Sequence, residues 1–305
     1  MTSRPTLPVT VIGGYLGAGK TTLINQLLRH ADGMRLAVLV NDFGELPIDA
    51  DLIESRDDNV ISITGGCVCC SYGSDLMEAL IDLDQMDPAP DHLLIETSGV
   101  GLPDAIAQSV QLIPRYTIDG IVVLADAETV RNRGEDRYLH DTITRQLAAA
   151  DIVMLNKVDL LAPEASAETR RWLEEKIAEI PIVETVNADV PLAVVLGVGH
   201  LFDEKRTKTH GHHHANHEAD VFEIDRPVNP EALMDRLSAQ ALGLIRVKGF
   251  VQSSDGRFCA VQSVGRRWTV SETSPTGEEK GRIVCITHMP PIDSQAISRI
   301  INELD

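Results

Sequence analysis

The chain has 305 residues, of which 43% are hydrophobic and 24% charged, a composition ordinary for a globular protein with a real core. Its formal net charge of −19 disfavours nucleic acid and anionic membranes as partners, because both repel an acidic surface. No apolar run reaches the roughly 18 residues of a membrane span and residues 1–14 lack a secretion-signal pattern, so we expect a cytoplasmic protein.

Strands and helices alternate through the first two thirds of the chain. Near-continuous apolar runs with many β-branched residues predict strands buried on both faces, with helical spacing between them, as in "SDLMEALIDL". The predicted strands are 7–12, 36–40, 59–63, 92–96, 121–126, 151–156 and 181–186. This alternation predicts an α/β fold with a mostly parallel sheet flanked by helices.

The pattern changes near residue 200. Residues 203–220 are polar and without periodicity, as in an exposed linker. Beyond them, strands follow one another without intervening helices, which predicts a smaller antiparallel α+β domain. The predicted domains are 1–200, a His-rich linker at 201–219, and 220–305.

The first predicted strand leads into "GYLGAGKT", residues 14–21, which matches the phosphate-loop signature G-x-x-x-x-G-K-[ST] in the required strand-to-helix context. In such a loop glycines let several N–H groups point at one phosphate. Lys20 would reach the β- and γ-phosphates and the Thr21 hydroxyl would ligate Mg²⁺. A chance glycine turn before a helix is the alternative. The predicted nucleotide-binding residues here are Gly14, Gly17, Ala18, Gly19, Lys20, Thr21 and Thr22.

Two acidic segments follow later strands. In "LLIETSG", Glu96 is expected to organise Mg²⁺ or the attacking water, and the Gly99 N–H to sense the γ-phosphate. In "NDFGE", Asp42 and Glu45 occupy the place of a nucleotide-sensing loop, and Asp42 is a candidate metal ligand. Each carboxylate could instead be a solvated loop charge. We assign no general base, and expect Lys20 and Glu96 to act by positioning and electrostatics.

The segment "NKVD", residues 156–159, predicts guanine recognition. The Asp159 carboxylate can accept from the ring N–H and the exocyclic amine of guanine, and a carboxylate buried there would reject adenine. Lys157 can lie along the base, and Asn156 can tie this loop to the phosphate loop. The following "NAD", residues 187–189, could close over the base or be an ordinary loop.

Three of five cysteines, Cys67, Cys69 and Cys70, form "CVCC" between "NDFGE" and "ETSG". In a reducing compartment such clusters favour metal binding, and three thiolates suit Zn²⁺ or Cu(I) with one further ligand. A transferable metal site, a structural zinc, and a redox or core role remain open. Cys259 and Cys285 stand alone and are expected to be core residues.

The predicted linker carries "HGHHHANH". Imidazole binds zinc, nickel, copper and cobalt, so this tract is predicted to be a loose collector of metal. An expression tag is the alternative, which the internal and interrupted position disfavours. The candidate ligands are His210, His212, His213, His214 and His217.

Together, "GYLGAGKTTLIN", "NDFGE", "GGCVCC", "ETSG" and "NKVDL" resemble, in order, the motifs of the CobW-like family of metallochaperone GTPases. That family is related to the GTPases that help load nickel into urease and hydrogenase. The likeness covers the whole first domain, and "RVKGFVQ" resembles the start of the family's smaller C-terminal domain. The resemblance implies a P-loop GTPase fold, slow hydrolysis of GTP, Mg²⁺ dependence, and metal binding by Cys67, Cys69 and Cys70.

The resemblance also implies a client metalloprotein and either a monomer or a homodimer that depends on nucleotide or metal. Zinc is the expected metal, with Co²⁺ or Ni²⁺ possible, since members differ between zinc delivery, cobalt handling in cobalamin synthesis and nitrile hydratase activation. A zinc buffer with marginal GTPase activity and a regulatory GTPase with structural zinc are the alternatives. The sequence departs from many members at Asp42, where they have Glu.

Overall fold

Two β-sheets dominate the fold. The computed structural model describes residues 6–31, 33–41, 60–65, 74–197, 217–239, 242–273, 280–288 and 291–304. The chain divides into two compact units, Met1–Val190 and Pro191–Asp305. The domain limits proposed from sequence, at 200 and 219, stay a prediction.

The first unit contains a sheet whose seven described strands are all parallel. Its order is β3-β2-β4-β1-β5-β6-β7. This confirms the predicted parallel α/β architecture. The strands are β1 (Leu7–Gly14), β2 (Leu36–Asn41), β3 (Val60–Gly65), β4 (His92–Glu96), β5 (Tyr116–Asp126), β6 (Ile152–Asn156) and β7 (Ile182–Thr185).

Helices cover both faces of this sheet. Val9 and Val11 of β1 belong to one core cluster, while the alternate residues Thr10 and Ile12 are equally buried. Because successive side chains of a strand point to opposite faces, both faces must be covered. The helices of this unit are α1 (Lys20–Arg29), α2 (Ser74–Asp84), α3 (Pro103–Gln111), α4 (Val130–Glu135), α5 (His140–Ala148) and α6 (Pro163–Lys176).

Strand β5 begins earlier than the sequence pattern predicts. Its first residue, Tyr116, pairs with Leu7 of β1, and its hydroxyl donates to the Leu80 carbonyl at 2.6 Å. Polar Thr117 and Asp119 interrupt the apolar run here, so the pattern alone starts the strand at residue 121.

The second unit contains a five-stranded antiparallel sheet in the order β11-β10-β9-β12-β8. Its core joins this sheet to two helices through side chains such as Leu233, Val247, Ile283 and Ile297, which confirms the predicted α+β class. The elements are α7 (Leu192–Leu196), β8 (His217–Ile224), α8 (Pro230–Leu237), β9 (Leu244–Gln252), β10 (Phe258–Val264), β11 (Arg267–Thr273), β12 (Gly281–His288) and α9 (Ser294–Glu303).

A buried arginine holds the short helix α7 within this unit. The Arg246 side chain on β9 is 1% exposed. Its Nε donates to the Val194 carbonyl at 3.2 Å and its Nη2 to the Val195 carbonyl at 2.6 Å. A cation at the last carbonyls of a helix satisfies acceptors that have no partner inside the helix. Among the described residues, no helix is long and apolar enough to span a bilayer.

Candidate functional site

The loop between β1 and α1 has the backbone form that phosphate loops use. Gly14, Gly17 and Gly19 have φ values of +132°, +78° and +104°. At Gly14 an added Cβ would collide with the backbone of Leu124, and at Gly19 it would lie 2.5 Å from Asn156 Nδ2. Gly14 and Gly19 therefore require glycine both for their φ angles and for their close neighbours, whereas Gly17 requires it for its φ angle alone. The loop can present backbone N–H groups together with the N-terminus of α1.

A hydroxyl and a carboxylate meet where this loop enters α1. The Thr21 hydroxyl donates to Glu96 Oε1 at 3.2 Å, and Glu96 is only 2% exposed. Strand pairing explains the contact, because Ile12 of β1 is in register with Glu96 of β4. Mg²⁺ prefers oxygen ligands such as hydroxyl and carboxylate groups in proteins, so this pair fits a magnesium site. Lys20, the first residue of α1, is buried beside it, while Thr22 is exposed.

The segment after β4, residues 97–101, lies directly against the phosphate loop. The Thr97 N–H donates to the Ile12 carbonyl at 2.9 Å. An added Cβ on Gly99 would lie 2.5 Å from Leu16 Cγ and 2.9 Å from Leu16 N. The predicted phosphate sensor and the phosphate loop are therefore in contact.

A glutamine of α5 holds the same segment from its other side. Gln146 is 1% exposed, and its Nε2 donates to the carbonyls of Gly99 at 3.2 Å and Gly101 at 2.8 Å. These bonds fix two carbonyl groups of the segment, so the conformation of the segment depends on the position of α5.

Asn156, at the end of β6, joins three segments of the chain. Its Nδ2 donates to the Ala18 carbonyl at 3.0 Å, while its Oδ1 accepts from the Ala188 N–H at 2.8 Å and the Thr185 hydroxyl at 3.1 Å. The side chain is buried, so each bond also satisfies a polar group shielded from water. The geometry agrees with the predicted tie between "NKVD" and the phosphate loop.

Lys157 is fixed by a carboxylate at the end of the neighbouring strand. It adopts a left-handed φ of +65°, and its Nζ lies 2.7 Å from Oδ2 of Asp126, the last residue of β5. Asp159 sits in the 3₁₀ turn Val158–Leu160 with its carboxylate exposed. Asn187 is exposed as well, with a φ of +52°. The turn thus presents a fixed lysine stem and a carboxylate at one edge of the sheet.

Three residues at this site were not identified from the sequence. Asp126 carries the signal that indicated Glu96, an acidic residue at the end of a buried strand. Gln146 and Arg133 lie on helices with no motif to single them out. Arg133 donates from Nη1 to the Leu16 carbonyl at 3.0 Å and lies over the Tyr15 ring.

Several predicted metal ligands lie outside the described residues. The strands that lead to them are described, however, and Asn41 of β2 is in register with Gly65 of β3, while Val40 is in register with Glu96. Adjacent strands lie about 4.8 Å apart, so the chain leaves Gly65 on the order of 10 Å from Glu96. The residues outside are Asp42, Glu45, Cys67, Cys69, Cys70, His210, His212, His213 and His214.

The other predicted metal and thiol residues are described. His217 begins β8 and pairs with His288 of β12. Cys259 and Cys285 are buried at 7% and 0% exposure, which confirms them as core residues, and burial raises the pKa of the Cys285 thiol to about 12. Within the described parts of the chain, no three His, Cys, Asp or Glu side chains are grouped so as to hold a metal ion.

Comparison with known proteins gives matches over both units. The model of the family described as "CobW/HypB/UreG, nucleotide-binding domain" matches residues 8–184, and that of the "Cobalamin synthesis protein cobW C-terminal domain" matches residues 218–304.

Named relatives cover most of the chain. "Zinc chaperone CobW" of Sinorhizobium sp is 29% identical over 98% of this chain and 97% of its own length. "Zinc chaperone YjiA" of Escherichia coli (strain K12) is 32% identical over 90% and 91%. "Zinc-regulated GTPase metalloprotein activator 1" of Dictyostelium discoideum is 29% identical over 80% of this chain and 62% of its own length.

Proposed function

The chain belongs to the CobW/HypB/UreG family, and on that premise we propose that it is a GTP-hydrolysing metallochaperone. It binds zinc at Cys67, Cys69 and Cys70 and couples its nucleotide state to transfer of zinc to a client metalloprotein. The relatives named zinc chaperones and a zinc-regulated GTPase activator support this assignment.

The nucleotide part of the proposal depends on the phosphate loop. Backbone N–H groups of residues 14–22 would bind the phosphates, with Lys20 at the β- and γ-phosphates. Thr21 and Glu96 would hold Mg²⁺, which supplies neutralisation of the phosphate charge when bound. The 3.2 Å contact between their oxygens supports this pairing.

Guanine selection is assigned to the turn after β6. Asp159 would accept the two N–H groups of the guanine edge, and Lys157 would lie along the base. The ion pair between Lys157 and Asp126 supports this role, because it fixes the lysine stem before the base arrives.

Hydrolysis in this proposal is slow and depends on position and charge. Lys20 and Glu96 carry the electrostatic part, and no side chain is assigned as general base. The Gly99 N–H would contact the γ-phosphate. Loss of this phosphate would then remove a contact from the segment whose Gly99 carbonyl Gln146 holds.

The single observation that carries the coupling is the position of Gly65. The chain leaves the sheet there, two strands from Glu96, and Cys67 follows two residues later. The strand between them, β2, ends at Asn41. Asp42 is the next residue in sequence and is a candidate to contact the same metal. Three thiolates suit zinc, with the fourth ligand open and Co²⁺ or Ni²⁺ as alternatives.

We assign the protein to the cytoplasm, with a client metalloprotein as partner and neither nucleic acid nor membrane. It would act as a monomer or as a homodimer that depends on nucleotide or metal. The His tract would collect metal loosely.

Zinc titration in two nucleotide states tests the proposal. Because coupling between sites is reciprocal, a GTP analogue and GDP should give zinc affinities that differ by about fivefold or more. Substitution of Cys67, Cys69 and Cys70 by serine should remove this difference while GDP still binds. Equal zinc affinity in both nucleotide states would refute the coupling. Failure to bind GDP with Mg²⁺ present would refute the assignment of a nucleotide site.

A further inference from the structure

Two histidines face each other at one end of the antiparallel sheet. His217 is the first residue of β8 and His288 the last of β12, and the strand register pairs them directly. Their ring centroids are 4.5 Å apart, and His288 Nδ1 lies 3.1 Å from His217 Nε2. His288 is 7% exposed and His217 is half-buried. Two ring nitrogens are thus held close together by the backbone.

This spacing suits two ligands of one metal ion. Zinc–imidazole bonds are about 2.0–2.1 Å long, so two nitrogens separated by a bond angle of about 90–109° lie roughly 2.9–3.4 Å apart. The same distance also fits an N–H···N hydrogen bond, in which one ring donates and the other accepts. A metal ion would take the place of that shared proton without moving either strand.

We infer that His217 and His288 form a binding site for a divalent transition-metal ion of the zinc class. The two imidazoles supply two corners of the coordination shell, and water fills the others. The site uses none of the cysteines of the Cys motif, and it adds His288, which the His tract does not contain.

The charge of the chain favours a cation, since the formal net charge is −19. The carboxylates of Glu218 and Asp220 accept from the Ile292 N–H at 2.9 Å and the Ser294 hydroxyl at 2.8 Å. Because side chains alternate along a strand, both point to the face of β8 opposite to His217 and are not counted as ligands.

The ligand atoms predict which tautomer each ring adopts. Metal on Nε2 of His217 leaves the proton on Nδ1, whereas metal on Nδ1 of His288 leaves it on Nε2. Nitrogen-15 NMR of labelled histidines in the full chain separates these forms. We expect one equivalent of Zn²⁺ to shift His217 Nε2 and His288 Nδ1 together. The chain used carries Cys67, Cys69 and Cys70 as serine, so the outcome is independent of the proposed coupling to GTP.

Single substitutions test whether the two rings act together. His217→Asn should abolish the Zn²⁺ response of His288, and His288→Asn that of His217. Loss of an outer-shell partner alone typically costs 10–100-fold in metal affinity, so loss of a ligand should weaken Zn²⁺ binding by about tenfold or more. His30→Asn, an exposed residue at the end of α1, is the matched control and should change neither response.

Three outcomes would overturn the site. One is a Zn²⁺ response of either ring that survives loss of the other. Another is the absence of any response from both rings in the folded chain. The third is loss of both responses when His210, His212, His213 and His214 are replaced by serine, since the metal would then belong to the tract. His217→Asn keeps the test usable if His288→Asn fails to fold, because His217 is only half-buried.

Discussion

The ammonium of Lys157 and the carboxylate of Asp126 form the closest ion pair near the base-reading turn, at 2.7 Å. The Asp126 side chain is 7% exposed, so this pair is shielded from solvent on one side. A hydrogen bond to a charged group contributes about 1.5–3 kcal/mol. In the proposed function, Asp126 would therefore act on the nucleotide through Lys157.

Replacement of this carboxylate should weaken nucleotide binding. For Asp126→Asn we expect GDP affinity to fall by about tenfold, equivalent to about 1.4 kcal/mol, because Lys157 loses its fixed position. Fluorescent GDP titration measures the change. Lys157→Ala and the double variant complete the cycle, and the double variant should be no worse than Lys157→Ala. Strictly additive losses would contradict the mechanism, and Glu128→Gln, an exposed neighbour, should have no effect.

The two core cysteines should resist alkylation. Burial raises the pKa of Cys285 to about 12 and also raises that of Cys259, so both thiols stay protonated at pH 8. We expect iodoacetamide to leave both unmodified in the folded protein and to modify both in urea, as read by peptide mass spectrometry. Rapid modification of Cys285 under native conditions would contradict its core position.

A contact was predictable where a short motif fixes it. The tie from Asn156 to the phosphate loop was predicted from "NKVD" and is seen as the bond to the Ala18 carbonyl. Thr21 and Glu96 were each predicted only as groups around Mg²⁺, and the hydrogen bond between them was not predicted. Gln146 acts across 45–47 residues of sequence, through hydrogen bonds to backbone carbonyls. Carbonyls are common to all residues, so no pattern of side chains could have revealed that contact.

At the scale of elements, helix α5 controls the segment that follows β4. Gln146 is the contact, since both of its donor bonds end on carbonyls of residues 99–101. The other side of that segment meets Leu16 of the phosphate loop. Helix α5 therefore contacts the proposed γ-phosphate sensor directly, through Gln146.

Removal of this contact should reduce discrimination between GTP and GDP. Neutral hydrogen bonds contribute about 0.5–1.5 kcal/mol each, so for Gln146→Leu we expect the affinity ratio of a GTP analogue over GDP to fall about fivefold. Competition titration of both nucleotides measures the ratio. Gln111→Leu, at an exposed position at the end of α3, should leave it unchanged. An equal loss for both nucleotides would refute a role in sensing.

Arg246 should be essential to the stability of the second unit. Arg246→Met leaves the carbonyls of Val194 and Val195 without their charged donor, and we expect a loss of about 2–4 kcal/mol in the free energy of unfolding. Urea unfolding reports this through Trp268 in a Trp172→Phe background, because these are the only two tryptophans. Arg236→Met is the matched control, since its ion pair with Glu303 is exposed and contributes about 0–1 kcal/mol.

Element boundaries were less predictable than element types. The antiparallel class of the second sheet follows from strands without intervening helices, and it was predicted. The start of β5 was not, because Tyr116 is held by pairing with Leu7, more than 100 residues away in sequence. Local apolar patterns do not carry such pairing, so tertiary contact decides where that strand begins.

At the scale of the whole molecule, the two units have separate hydrophobic cores. We expect a bound nucleotide to raise the unfolding midpoint of the first unit far more than that of the second. Trp172 in a Trp268→Phe background reports the first unit, and Trp268 reports the second. Ligand at 100 times its Kd should add about 2.7 kcal/mol to the unit that binds it. A single transition, shifted equally for both probes, would contradict separate folding units.

The close approach of Gly99 to Leu16 has a kinetic consequence. Because there is no space for even a methyl group between Gly99 and Leu16, we expect the segment 97–101 and the phosphate loop to open together. Departure of a molecule held between them then requires one concerted opening. The relaxation of this joint opening should follow a single exponential with one rate constant, whichever of the two loops carries the probe.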